Sequence, residues 1–204
     1  MTPGEKTPQR RIGLTGGIAS GKSSVGRWLK QQGIPVLDAD VYSHQALAAG
    51  TEASRTVLTR YGARVASSTT DGIDRAALGR IVFNNRSERQ WLEELVHPLV
   101  HQAFGSDLSD HSEEPVVVLM IPLLFETGLE HLCSETWVVS CSPKQQLARL
   151  IQRDGLSELE AQSRIFSQIP LAQKEQMADH VIDNSKTQLE LIRTLENLRL
   201  RPNI

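Results

Sequence analysis

No stretch of these 204 residues is long and apolar enough to cross a bilayer as a helix. The longest apolar run, VVVLMIPLLF from Val116 to Phe125, has ten residues, and a membrane helix needs about 20. Charge of one sign is also missing. Twenty-two basic residues face 24 acidic ones, a net charge of −2, which excludes a strongly basic nucleic-acid binder. The leading segment MTPGEKTPQRR holds no apolar core of a signal peptide, so the chain is expected in the cytoplasm, with neither membrane nor nucleic acid as partner. Cysteine is scarce. Cys133 and Cys141 show no CxxC spacing and lie near apolar stretches, so both are expected reduced and buried. Internal repeats and low-complexity segments are absent. What remains is 39% hydrophobic and 23% charged, an ordinary globular composition.

Residues 1–9 are polar, carry two prolines, and are expected to form a flexible tail. Five short apolar runs then read as strands: RIGLT, PVLDAD, PVVVLMI, TWVVSCS and HVIDN. PVVVLMI is apolar on both faces, as a central parallel strand covered by helices must be. Between the strands the period is helical. Ser142 with Gln145 and Ser157 with Glu160 predict capping boxes, and Ser87 with Gln90 predicts another ahead of WLEELV. Pro98 is expected to interrupt that helix, and residues 105–114 read as a polar loop. Ser185 is expected to cap a last helix with Leu189, Ile192, Leu195 and Leu198 inward. Strands alternating with helices predict an α/β fold on a parallel five-stranded sheet. The core is expected over 10–40 and 105–200, with a helical insert over 41–104.

Gly16 to Ser23, GGIASGKS, matches G-x-x-x-x-G-K-[ST] between an apolar strand and an amphipathic helix. The glycines let backbone amides curl around phosphate oxygens, and the helix N-terminus adds partial positive charge. Gly17, Ile18, Ala19, Ser20, Gly21 and Ser24 are therefore expected to line ATP. Lys22 can reach the β- and γ-phosphates, and Ser23 can ligate Mg²⁺. A phosphate loop alone does not separate a kinase from a switch. A GTPase would add DxxG and NKxD elements, and neither occurs. Asp38 and Asp40 end the second strand, the edge where open α/β sheets bind ligands. Alternation predicts that both point to one side of that strand. One can take a proton from an attacking hydroxyl and the other can hold Mg²⁺ water. Asp40 also suits the N-cap of the following helix.

With these pieces in place, the chain resembles the dephospho-coenzyme A kinase family. The matching segments run in order: LTGGIASGKSSV, VLDADVYSH, DRAALGRIVF, WLEELVHPLV, IPLLFETGL, QLARLIQRD, AQSRIFSQIP and ADHVIDN. The resemblance implies transfer of the γ-phosphate of ATP to the ribose 3′-hydroxyl of dephospho-coenzyme A. It implies a P-loop kinase fold with a helical substrate insert and a mobile lid over about 149–175. Asp40 matches the family's proposed base, and Thr15 matches its threonine before the loop. Ala19 stands where the family often has glycine, which is tolerable if its φ is negative. Arg149 and Arg153 fall in the lid, Arg149 as a stabiliser of the transferring phosphoryl and Arg153 toward ATP. Arg164 and Gln168 lie one helical turn apart nearby. Arg75, His97, Leu123 and Glu126 are candidates on the substrate side, each with a structural alternative. Asn184 can meet the adenine edge or cap a turn. A monomer is expected. The alternatives are a nucleoside monophosphate kinase, which needs no base at Asp40, and a non-catalytic nucleotide-binding switch.

Overall fold

The computed structural model describes residues 8–198. The tail expected over 1–9 therefore lies mostly outside the described residues. Gln9 is held, its Nε2 donating to the His111 and Glu114 carbonyls. In chain order the elements are β1 (Arg10–Gly16), α1 (Lys22–Gln31), β2 (Val36–Asp38), α2 (Ala39–Ala46), α3 (Glu52–Tyr61), α4 (Arg75–Asn84) and α5 (Arg86–Asp110). There follow β3 (Val116–Met120), β4 (Glu135–Ser140), α6 (Pro143–Asp154), α7 (Glu158–Phe166), α8 (Leu171–Met177), β5 (His180–Asp183) and α9 (Gln188–Asn197). They form two compact units. One comprises the described residues up to Asp38 and from Asp110 onward, the other Ala39–Ser109.

The first unit is built on a five-stranded sheet in the order β2-β3-β1-β4-β5. Every pairing is parallel, with Ile12 beside Val118 and Leu14 beside Trp137. β1, β3 and β4 are central, and their side chains are buried on both faces, which is why these runs are apolar without alternation. Val25 and Leu29 of α1 and Leu191 and Leu195 of α9 close one core against Ile12, Leu14 and Trp137. The α9 stripe holds at Leu195 and Leu198, but Leu189 is 58% exposed and Leu191 is buried instead. The cap moves as well. Thr187 and Glu190 make the capping box, while the Ser185 amide donates to Asp183 instead. The boxes at Ser142/Gln145 and Ser157/Glu160 form as the spacing predicts.

The second unit is helical. Tyr42 packs edge-on against Phe104 at 5.0 Å and donates its hydroxyl to Asp107. Arg60 lies 4.4 Å over the Trp91 ring and pairs with Glu88 at 2.9 Å. The expected loop over 105–114 is a correction: α5 runs on to Asp110, straight through Pro98. Val96, Val100, Phe104 and Leu108 are its buried residues, each four after the last. That unbroken apolar stripe outweighs one missing N–H on the exposed side. Nor does Ser87 cap this helix. The Asn85 carboxamide oxygen accepts from the Ser87 and Glu88 amides in its place.

Candidate active site

β1 runs directly into the glycine loop, and the loop into α1. Gly21 is the N-cap of α1 at φ +105°, with no side-chain cap and no acidic residue in the first turn. The contrast with α6, α7 and α9, each closed by a capping box, is chemical. A helix start with neither a side-chain cap nor an acidic residue is the kind that takes an anion. Lys22 opens this helix half-buried, and Ser23 and Ser24 follow it exposed. A Cβ on Gly21 would stand 2.0 Å from Asn184 Nδ2. Only glycine fits there, on space as well as on φ.

Ala19 departs from expectation. Its φ is +60°, the one positive value among the described non-glycine residues. A methyl in the left-handed region costs about 1–2 kcal/mol. Glycine's greater unfolded-state entropy offsets about 0.5–1 kcal/mol of any gain from replacing it. Ala19→Gly is therefore expected to raise the melting temperature of the nucleotide-free protein by about 2–4 °C. A lowered value would show that the loop does not carry this strain.

The loop is held by groups far away in sequence. Gln146 Nε2 donates to the Ile18 carbonyl at 2.9 Å. Gln168 Oε1 accepts from the Ile18 amide, also at 2.9 Å. Asn184 Nδ2 donates to the Ser20 carbonyl at 2.8 Å. Asn184 thus braces the loop through its side-chain amide. Gln146 was missed in the sequence because a glutamine in a helix carries no signal by itself. Ser20 is fully buried and its Oγ lacks a partner.

Arg149 and Arg153 are four apart on α6, yet they do different things. Arg149 Nη2 donates to the Asn184 carbonyl at 3.0 Å, while its Nη1 is buried without a partner. Arg149 is thus already seated beside the loop's brace. It faces Cys141, whose thiol is pushed up by burial despite the nearby guanidinium. Arg153 pairs with Asp154 at 2.7 Å, and Arg164 reaches the same carboxylate at 3.0 Å. Arg153's hydrogen bond, with both charges, holds Asp154 below the usual carboxylate range. Arg164 and Gln168 diverge, one to Asp154 and the other to Ile18.

A cleft of about 550 Å³ opens beside the loop, lined among others by Gly21, Ser24, Trp28, Arg149, Asn184 and Lys186. On the other side, past β3, Glu126 Oε1 takes the Ile169 amide and the Lys174 ammonium at 3.1 and 2.7 Å. Lys174 is fully buried. Glu126 is therefore an ion-pair anchor here, and its Oε2 has no partner. Thr15 is fully buried too, donating to the Pro122 carbonyl, so its hydroxyl touches protein and no substrate. Leu124 is buried, and Leu123 is half-exposed with its carbonyl accepting from Thr127.

The two aspartates do not share one side of a strand. β2 stops at Asp38, beside Met120 of β3, and α2 starts at Ala39. Asp38 is half-buried at the strand's end, while Asp40 is exposed in the first helical turn and is not the N-cap. Asp40 falls in the first turn of α2, where a carboxylate is favoured by the helix N-terminus, which suits helix over a longer strand. Within the helical unit, Arg75 Nη2 donates to the His44 carbonyl at 2.7 Å, and His97 sits half-buried on α5. Cys141 is buried as expected, but Cys133 is only partly so. Burial still pushes its thiol up to about 12.

Ser23 and Asp38 offer hard oxygen donors of the kind Mg²⁺ takes. Among the described residues no group of three or more His, Cys, Asp or Glu can hold a metal.

Known proteins match most of the chain. The profile of the dephospho-CoA kinase family matches residues 10–190. A Synechococcus sp. (strain CC9605) protein named dephospho-CoA kinase is 62% identical over 90% of this chain and 89% of its own. Among solved structures, dephospho-CoA kinase from Campylobacter jejuni gives a TM-score of 0.67 at 26% identity, covering 92% of this chain and 96% of that one. A Thermus thermophilus protein gives 0.77 at 35% identity, covering 93% and 96%.

Proposed function

The chain belongs to the dephospho-CoA kinase family, and on that premise we propose that it transfers the γ-phosphoryl group of ATP to the ribose 3′-hydroxyl of dephospho-coenzyme A. The products are ADP and coenzyme A. The observation that carries this reading is the 62% identity over 90% of the chain, which spans the phosphate loop and the helical insert alike.

The loop amides and the uncapped start of α1 take phosphate oxygens, and Lys22 neutralises the β- and γ-phosphates. Ser23 is the protein ligand for Mg²⁺, with Asp38 holding its water. The ion, when bound with ATP, offsets the triphosphate's charge. The base and ribose belong in the 550 Å³ cleft lined by Ser24, Arg149 and Lys186. Arg149 Nη1, buried and unpartnered, is a donor suited to an anionic acceptor from the nucleotide. Asp40 orients the 3′-hydroxyl and accepts its proton as the O3′–Pγ bond forms and the bond from Pγ to the leaving oxygen breaks. Arg153 belongs with the segment over about 149–175 that closes on ATP. The helical insert, with Arg75 and His97, holds the acceptor, and Leu123 contributes from the loop after β3. Thr15 and Glu126 support the site from beneath.

The working unit is a cytoplasmic monomer with a small-molecule substrate. Among the described residues no helix is long and apolar enough to cross a membrane. The test is a Mg-ATP assay across dephospho-coenzyme A, AMP, CMP, adenosine and shikimate. Dephospho-coenzyme A is expected to turn over far faster than the rest. Equal turnover of AMP or CMP would move the chain to the nucleoside monophosphate kinases. ATP binding with no acceptor-dependent turnover would make it a switch.

A further inference from the structure

One residue of the phosphate loop, Ile18, is held at both of its backbone polar groups. Gln146 of α6 donates to the Ile18 carbonyl, and Gln168, just past α7, accepts from the Ile18 amide, each at 2.9 Å. The chemistry leaves no choice of roles: a carbonyl needs the carboxamide nitrogen, and an N–H needs the carboxamide oxygen. Gln146 is buried, and a Cβ on Gly17 would stand 2.5 Å from its Nε2. Two residues on, the Ser20 carbonyl takes the Asn184 side-chain amide. Between these fastened points lies Ala19 at φ +60°. Gln168 is itself anchored, because the amide of Ile169 is fixed on Glu126, which Lys174 pairs.

A free alanine relaxes to negative φ. Such a loop would have to be reshaped by each incoming nucleotide, at the expense of affinity. We infer that Gln146 and Gln168 are positioning residues: they clamp the backbone on either side of the Ile18 Cα so that Ala19 keeps its left-handed turn and the loop is phosphate-ready before nucleotide arrives. This rests on the phosphate-loop reading above and deepens it. Neither glutamine touches the reacting atoms. Their effect passes through the backbone of Ile18 and Ala19.

The experiment is a double-substitution cycle read by ADP binding in a calorimeter, with the KM for ATP and for dephospho-coenzyme A and the melting temperature alongside. Gln168→Ala is expected to weaken ADP binding and raise the ATP KM about five- to tenfold, the worth of roughly one hydrogen bond. The dephospho-coenzyme A KM should stay within twofold. Gln146→Met, close in length but without a donor, should do the same. In an Ala19→Gly background the left-handed turn has no steric cost, so either substitution should then weaken ADP binding by no more than about twofold. A merely structural glutamine lowers the melting temperature equally in both backgrounds and shows no such rescue. Equal fold losses in the two backgrounds, or ADP affinity within twofold of wild type in Gln168→Ala, would overturn the clamp alone. Wild-type protein that binds no ADP would overturn the phosphate-loop reading and the clamp with it.

Discussion

Replacing Lys22 by alanine is expected to lower kcat by about 10²–10³, the loss of about 2.7–4 kcal/mol of transition-state stabilisation that one such electrostatic contact supplies. The reasoning starts from the fold. Lys22 opens α1 directly after the uncapped Gly21 turn, so its ammonium adds to the partial positive charge of the same helix end. As the bond to the leaving oxygen breaks, charge grows on the β-phosphate side, and a fixed cation there gains most in the transition state. The loss therefore belongs in kcat as well as in ATP affinity. Steady-state kinetics with ATP and dephospho-coenzyme A, alongside a melting curve, decide it. A variant that melts like wild type and keeps near-normal kcat would remove Lys22 from the chemistry.

Asp40→Asn is expected to separate chemistry from binding. The substitution preserves size and hydrogen-bonding oxygen. Asp40 sits in the first turn of α2 and is not its N-cap, so the folded state loses only a favourable charge at a helix start, about 0.3–1 kcal/mol. The melting temperature should fall by no more than about 4 °C. The rate should fall much further. A positioned general base contributes about 10²–10⁴. In a loose phosphoryl transition state the proton leaves late, so the orienting part dominates and the loss should lie toward 10². ATP affinity should stay near normal. The measurement is kcat on dephospho-coenzyme A with ATP Kd and melting temperature for both proteins. A kcat within about threefold of wild type, below the weakest base contribution, would leave Asp40 a helix-start charge.

These two residues mark how much of the site was legible without coordinates. The phosphate loop could be read because its parts are contiguous. Strand, glycine turn, lysine and helix follow one another, and each is specified by local chemistry. The central strands β1, β3 and β4 were legible for a similar reason, since a strand buried on both faces must be apolar at nearly every position. Asp40 could be singled out by type and place, but not its conformation. The residues PVLDAD alternate well enough for a strand, and only pairing with β3 shows that the ladder ends at Asp38.

The sequence by itself determined the nucleotide loop, the α/β class, two of the helix caps and the family, because these depend on neighbours within a few positions or on ordered motifs. It could not tell which of several equivalent polar side chains would be drawn to the loop. Asn184 and Ser20 are 164 positions apart, Gln168 and Ile18 are 150, and Gln146 and Ile18 are 128. Their meeting depends on the parallel order that sets β1, β4 and β5 side by side and so gathers the chain after each strand at one edge. The same holds for the inner face of α9 and for the split between Arg149 and Arg153. A helix reads as amphipathic from its own residues, but whether Leu189 or Leu191 completes its inner face is decided only by the surface it packs on. The left-handed turn at Ala19 belongs here as well. Alanine has no local reason to adopt it, and the hydrogen bonds that hold it there come from the far ends of the fold.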